Sequence, residues 1–400
     1  MSATGLRSIT LPGWLGAKTV SPTTVFASLF LLTTSCRTLV ISVIPIDAFE
    51  RMGSAYGVSV LFLLVSIAGV ITGLLIPSLI LRFRTRRVFY IAAASAFSGA
   101  FFLGLQPLPF FLLGMAGWVI STVGFEVTMN LYIMHFILRR EIGLFEPKRV
   151  LFMVTAYTTG PWLGVFLRNN VSHWAPLVAT MVIAVASVVY FRFLGLREAG
   201  AREALKQPPR PLRHVKRFFS QPRLRLAWGL SLARAAWWST FIIYTPIFAV
   251  DAGLGDVAGG ALVSAGVATV YSVGLWGKLG RRYGFRSLLI YGYSLSGVAS
   301  IVVTILAGSA WTGAALLLLT AFVTASIDAA GNVPFLRAVR PLEREEMTGV
   351  FSTYRDASQL LPPAIFAVLL RFAPVYAVFG VAGLWMFASA WYSRFLPRRM

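Results

Sequence analysis

The chain has 400 residues, 57% of them hydrophobic and only 12% charged, with a mean hydropathy of +0.76. No soluble domain of this size can hide so much apolar surface, because single cores stop growing and chains split first. A net charge of +22 would suit nucleic acid, but the placement of the cations excludes that partner, and a lone cysteine, Cys36, excludes disulfides and cysteine-based metal centres within the chain.

Residues 1–22 are read as a cytoplasmic tail; Pro12, Gly13 and Gly16 interrupt them, so a cleaved signal peptide is not expected. Apolar runs of about 20 residues, each long enough to cross the hydrocarbon of a bilayer, then recur to the end of the chain. The first half, 23–194, holds runs at 23–46, 57–81, 88–106, 109–132, 150–170 and 174–194. Ser21-Pro22 opens the first with a capping hydroxyl and a proline at the first helical position. Residues 195–225 are polar, basic and interrupted by proline, and read as a cytoplasmic linker with room for a surface helix. The second half, 226–393, holds runs at 226–249, 258–277, 287–307, 311–333, 347–369 and 373–393, before a cytoplasmic tail at 394–400. These runs are too long and too apolar for barrel strands. The expectation is an all-α membrane protein of twelve transmembrane helices.

With both termini and every even-numbered connection assigned to the cytoplasm, 30 of the 36 lysines and arginines fall on that side. This matches the positive-inside rule and makes the basic balance a matter of orientation and anionic lipid. A bacterial inner membrane is the expected location.

The halves repeat. "LRFRTRRVFY" follows the second run and "GKLGRRYGFRSLLI" the eighth, with Arg82-Phe83 and Arg282-Tyr283 200 residues apart. Glu126 with Asn130 and Asp328 with Asn332 share a four-residue spacing and lie 202 residues apart, as do Gly160-Pro161 and Pro362-Pro363. Two parallel six-helix repeats explain this most economically.

The layout resembles the major facilitator superfamily: twelve spans, inside termini and a long central loop. That family carries a motif of roughly G-x-L-x-D-R-x-G-R-R after spans 2 and 8. "GKLGRRYGFR" resembles it at Gly277, Leu279, Arg282, Gly284 and Arg286, and "LRFRTRR" at Arg82, Arg86 and Arg87; Leu81 and Arg281 stand where the motif has its aspartate. "TTGPWLG" (158–164) is similar to the Gly-Pro motif of the family's antiporters. The resemblance implies gating roles for Arg82, Arg86, Arg282, Gly284, Arg286, Gly160 and Pro161, and a central cavity lined by spans 1, 4, 7 and 10.

Six ionisable residues fall well inside spans: Arg37, Glu126, Arg234, Asp328, Arg355 and Asp356. Each costs roughly 2.5–3.5 kcal/mol at mid-helix, so a lipid-facing position is not expected. At a rise of ~1.5 Å per residue, Glu126, Asp328, Arg234, Arg355 and Asp356 form a layer about 10–13 Å from the cytoplasmic edge, and Arg37 lies near the midplane. A four-residue spacing stacks Asn130 on Glu126 and Asn332 on Asp328. These groups read either as buried ion pairs that tie the halves together, Arg355 among them as an inner gate, or as a coupling site. A carboxyl sheltered from water exchanges its proton nearer neutrality, and an adjacent arginine opposes that shift. Glu126, Asp328 and Asp356 are therefore the candidates for proton coupling. The guanidinium of Arg37 suits a carboxylate or phosphate. Asn130, Asn332, Arg234 and Trp238 are the other candidate solute contacts, and Trp237 and Tyr244 could wall the cavity.

The expected activity is secondary active transport of a small organic solute, anionic or zwitterionic, by alternating access and coupled to protons. A drug or metabolite exporter working as a proton antiporter, or a lipid flippase, are the alternatives within transport. An integral-membrane enzyme or a non-transporting receptor are more distant ones. No cofactor, metal or nucleic-acid partner is expected, and a monomer is. No G-x-x-x-x-G-K-[ST] motif occurs, so ATP does not power the chain.

Overall fold

The computed structural model describes residues 22–137, 142–195, 211–306, 308–340 and 343–397, without the side chains of 22, 142–144, 211–214, 344 and 345. The predicted cytoplasmic cations Arg7, Lys18, Arg139, Arg140, Arg398 and Arg399, and linker residues 196–210, lie outside the described residues. Among the described residues every regular element is helical. In chain order these are α1 Pro22–Thr38, α2 Val43–Met52, α3 Ala55–Phe83, α4 Thr85–Leu103, α5 Leu108–Phe136, α6 Ile142–Asn170 and α7 Ala175–Phe193. After them come α8 Pro211–Phe219, α9 Pro222–Asp251, α10 Asp256–Ala268, α11 Val273–Tyr283, α12 Phe285–Ile305 and α13 Ala310–Ala330. The last are α14 Val333–Ala338, α15 Arg344–Ser352, α16 Tyr354–Leu369 and α17 Ala377–Ser393.

Eight helical stretches among the described residues are long and apolar enough to cross a membrane. Their outer faces carry large apolar side chains such as Leu74, Val182, Tyr291 and Trp311, all exposed. Exposed apolar area on this scale, with backbone polar groups satisfied inside each helix, is what lipid requires of a chain that spans it. This is an integral, multi-pass membrane protein.

Several predicted spans are broken rather than continuous. Residues 39–42 separate α1 from α2, and a 3₁₀ turn, Thr269–Ser272, separates α10 from α11. Gly331, at φ +47°, ends α13, and Pro334 sits in the first turn of α14. The backbone reversal at Gly331 overturns the expected stacking of Asn332 on Asp328: Asn332 lies past the end of the helix and is exposed. The run at 347–369 likewise divides into α15 and α16, which leaves Arg355 and Asp356 in the first turn of α16 with exposed side chains, rather than deep in one long helix.

The repeat is visible in the backbone. Between α3 and α4, Arg84 takes φ 72°, ψ 153°; between α11 and α12, Gly284 takes φ 89°, ψ 137°. This region belongs almost wholly to glycine, and a side chain there costs of order 1–3 kcal/mol. Two helices abut through one left-handed residue in both halves, and only the second half places glycine there.

Packing divides the chain into two compact units, Met1–Val40 with Ala68–Pro208, and Ile41–Ile67 with Pro209–Met400. The first is built around an aromatic core in which Phe89 stacks on Phe191 at 4.1 Å, with Phe125 and Tyr132 edge-on. There α4 and α5 meet at Gly99 and Gly117, where a Cβ on Gly117 would lie 2.8 Å from the Gly99 Cα. Small residues at such crossings let membrane helices approach closely.

In the second unit α12 and α17 meet in the same way at Gly297 and Gly383. The linker helix α8 docks here, with Phe218 fully buried in a cluster with Leu224, Met347 and Phe351. Arg217 and Gln221 both donate hydrogen bonds to the Glu343 carboxylate, tying the linker to the loop before α15. Residues 41–67 pack in this unit through Ser59, 2.7 Å from the Tyr244 hydroxyl, and through Ser66, which donates to the Gln359 carbonyl at 2.9 Å.

Candidate functional site

Among the described residues, each unit holds a polar cluster inside its helices. In the first, Arg37 sits in the last turn of α1, and its guanidinium carbon lies 6.0 Å from the ring of Trp118 on α5 and 5.8 Å from that of Tyr157 on α6. Aromatic faces stabilise a cation without adding a counter-charge, so the guanidinium keeps donor capacity for a ligand. Arg37 Nε, Trp118 Nε1, Thr158 Oγ1 and Thr38 Oγ1 are all buried without a hydrogen-bond partner. Unmade bonds of this kind cost about 1–3 kcal/mol each and call for an explanation. All four can donate, which suits an acceptor-rich ligand.

Glu126 and Asn130 lie one turn apart on the unbroken α5, so their predicted stacking holds in this unit. Both Arg37 and Glu126 fall within electrostatic reach of the Tyr157 hydroxyl. The Glu126 side chain is exposed and that of Asn130 partly buried. Gly160 packs directly on the end of α1, where a Cβ would stand 2.5 Å from Thr38 Oγ1. Its small size thus sets how closely α6 approaches the turn that carries Arg37. Pro161 follows it inside the same helix.

In the second unit, Arg234 on α9 faces Asp328 in the last turn of α13, with Nε 3.5 Å from Oδ1. Trp238, one turn along α9, donates its indole N–H to the other carboxylate oxygen at 2.9 Å. Tyr354 and the Tyr293 hydroxyl, which donates to the Leu230 carbonyl at 2.6 Å, lie within electrostatic reach of Arg234. Only 12% of the Arg234 side chain and 21% of that of Asp328 are exposed. A carboxylate at a helix C-terminus meets the negative end of the helix dipole; the guanidinium and the indole offset that.

The expected aromatic wall is partly corrected. Trp238 touches the charged pair, but Trp237 is buried with its N–H donated to Ser300, and Tyr244 is fully buried against Ser59; both are packing residues. The predicted gating residues divide by contact. Arg86 donates to Tyr90, Arg286 donates to the Arg394 carbonyl at 2.7 Å, and Arg82, Arg282 and Arg355 each lie over the neighbouring ring of Phe83, Tyr283 and Tyr354.

Sequence reasoning missed Trp118, Tyr157 and Tyr354, because an aromatic residue in an apolar run carries no sign of the charge it will face. It also missed Asp47, which is 3% exposed in α2. The apolar run stops at Ile46, whereas the helix continues to Met52; a carboxylate one residue beyond an apolar run signals a boundary, not burial.

The Major Facilitator Superfamily model matches residues 25–363. No curated protein matches the chain. Among solved structures, the nucleoside transporter NupG is similar at 14% identity and TM-score 0.71, covering 93% of this chain and 98% of that one. A POT family transporter in complex with 5-aminolevulinic acid is similar at 9% identity and TM-score 0.74, covering 97% and 98%. A peptide transporter POT in complex with sulfate is similar at 16% identity and TM-score 0.69, covering 97% and 96%. At these identities the likeness is one of fold.

Proposed function

Because the chain belongs to the Major Facilitator Superfamily and is a membrane transporter rather than an enzyme, we propose that it carries a small anionic or zwitterionic solute coupled to protons. The observation that carries this reading is the Arg37 cluster: a cation held by two aromatic rings, with buried donors left open around it. A carboxylate or phosphate would satisfy several of them at once. The Arg234–Asp328 pair is the coupling element. A proton taken by Asp328 removes its attraction for Arg234, and a solute that engages Arg234 or Trp238 competes for the same partner, so proton and solute occupancy become linked.

Transport proceeds by alternating access, with the halves at 23–194 and 226–393 as the moving bodies. Residues 41–67 belong to the first half by sequence yet pack in the second unit. The Ser59–Tyr244 and Ser66–Gln359 hydrogen bonds are the contacts the cycle must break and remake. The solved neighbours include transporters of nucleosides and peptides and one bound to 5-aminolevulinic acid, which makes uridine, dialanine and 5-aminolevulinic acid the first probes. The cation distribution supports cytoplasmic termini in a bacterial inner membrane.

Thermal stabilisation of the purified chain by these probes tests the site. At least one should raise the unfolding midpoint, and Arg37→Ala should abolish the rise while leaving the solute-free midpoint near that of the parent. A solute that stabilises both proteins equally removes Arg37 from the site.

A further inference from the structure

In the second unit, α12 presents a polar seam to the two helices that supply the Arg234–Asp328 pair. Tyr293, Ser296 and Ser300 follow one another at steps of three and four residues, hence on one face of α12, and all three are buried. The Tyr293 hydroxyl donates to the Leu230 carbonyl of α9 at 2.6 Å, and Trp237 of α9 donates its indole N–H to Ser300 at 3.0 Å. Leu230 to Trp237 and Tyr293 to Ser300 are both steps of seven residues, about two helical turns, so the two bonds are parallel rungs. On the other side, Thr324 of α13 donates to Ser296 at 3.1 Å. A Cβ on Gly292, next to Tyr293, would lie 2.6 Å from Ser326 Oγ, so α12 bears closely on the turn of α13 that carries Asp328.

We propose that Tyr293 is a positioning residue for the Arg234–Asp328 pair: its hydroxyl anchors the turn of α9 that presents the guanidinium to the carboxylate. This rests on the reading of that pair as the coupling element and names what holds it in place. Leu230 and Arg234 are four residues apart on α9, so the carbonyl that Tyr293 engages is the one an α-helix pairs with the Arg234 backbone N–H. A carbonyl oxygen has two lone pairs and can serve both donors. An arginine reaches its partner through several rotatable bonds, and a fixed backbone turn lowers the freedom it loses on pairing. Tyr293 is only 1% exposed, so water does not compete for its hydroxyl. With its proton given to Leu230, the Tyr293 oxygen offers lone pairs to its other neighbours, and Arg234 and Asp328 both fall within its electrostatic reach. Toward the guanidinium it is an acceptor that persists when Asp328 takes a proton, so Arg234 keeps its place through that step.

Two adjacent indoles report on the pair and on the neighbouring rung separately, because Trp238 donates to the Asp328 carboxylate and Trp237 to Ser300. The test follows their N–H resonances in the full-length protein with isotope-labelled tryptophan, assigned by Trp237→Phe and Trp238→Phe. Tyr293→Phe removes the hydroxyl and keeps the ring; it should shift the Trp238 resonance more than that of Trp237. Ser300→Ala, which cuts the other rung and touches neither charge, should do the reverse. Tyr293→Phe should also lower the thermal midpoint of the parent more than that of R234Q/D328N, in which no pair remains to be placed. An unmoved Trp238 resonance, or an equal drop in both backgrounds, overturns the proposal. The resonance measurement needs only single variants, so a fold defect in R234Q/D328N leaves the test intact. Neither measurement needs a transported solute. In liposomes Tyr293→Phe should move fewer protons per solute than the parent. An unchanged ratio, with the Trp238 shift and the unequal drops both present, would leave Tyr293 as the positioning residue and remove the coupling role of the pair instead.

Discussion

Asp328 receives the indole N–H of Trp238 and faces the Arg234 guanidinium inside a helix bundle. Breaking a buried pair by removing one partner costs about 3–5 kcal/mol, because the other charge is left uncompensated, whereas removing both can be nearly neutral. Arg234→Gln should therefore destabilise the purified protein more than Arg234→Gln/Asp328→Asn does. A double-mutant cycle on thermal or denaturant unfolding reads this directly, and strict additivity would show that the two groups are not energetically coupled. Arg84 carries a different cost. It holds a conformation that glycine holds in the other half, so Arg84→Gly should raise stability by about 1 kcal/mol, visible as a higher midpoint. A lower midpoint would mean that the exposed Arg84 side chain does more than its strained backbone costs. The residue types of the site were legible in the sequence because charge in an apolar run is rare. Their partners were not, because contacts between helices have no imprint on spacing along one chain.

Among the elements, the linker helix α8 is held by the buried Phe218 and by acids that pair with Arg217, Glu343 at the shorter distance. The hydrogen bond from Gln221, and then the Arg217 charge, hold Glu343 below the usual glutamate range. A depressed carboxylate contributes its stabilisation above the unfolded-state value, near 4.3, and loses it as pH falls through the folded one. Hydrogen-exchange protection across 215–219, taken relative to the intrinsic rate at each pH, should therefore be high at neutral pH and fall below about pH 4, and Glu343→Gln should flatten that dependence. Protection in the variant that still falls over the same range would place the titrating group elsewhere. The α3–α9 contact makes a second element-scale prediction. Ser59 and Tyr244 are both fully buried and share one hydrogen bond, so Ser59→Ala leaves the Tyr244 hydroxyl unmatched at about 1–3 kcal/mol. If the transport cycle breaks this contact, the variant populates the separated state more, and a cysteine introduced at the buried Val58 should label faster. Unchanged labelling would make the contact static. The helical ranges were readable from hydropathy, but the breaks at 39–42, 269–272 and 331 were not. Pro45 has no N–H for the Ile41 carbonyl, so local sequence contributes to the first break; Thr269 to Ser272 contain neither glycine nor proline, so packing sets the second.

At the scale of the whole molecule, the doubled architecture is written into the amino-acid sequence as motifs 200 and 202 residues apart. The Arg84 and Gly284 backbones repeat the first of those intervals in three dimensions. The Glu126 and Asp328 motifs repeat less faithfully: α5 runs straight through Asn130, whereas α13 stops at Ala330 before Asn332. The two halves have therefore diverged where their chemistry differs, one presenting open donors around Arg37 and the other a closed ion pair. The most direct measurement of that division of labour is solute-driven proton movement into liposomes that contain the purified protein and an entrapped pH dye. Uridine, dialanine or 5-aminolevulinic acid should move protons through the parent protein, and Asp328→Asn should still carry the active solute in exchange while moving none. A solute that crosses without protons in the parent, or an Asp328→Asn variant that moves protons at the parental rate, would contradict the account.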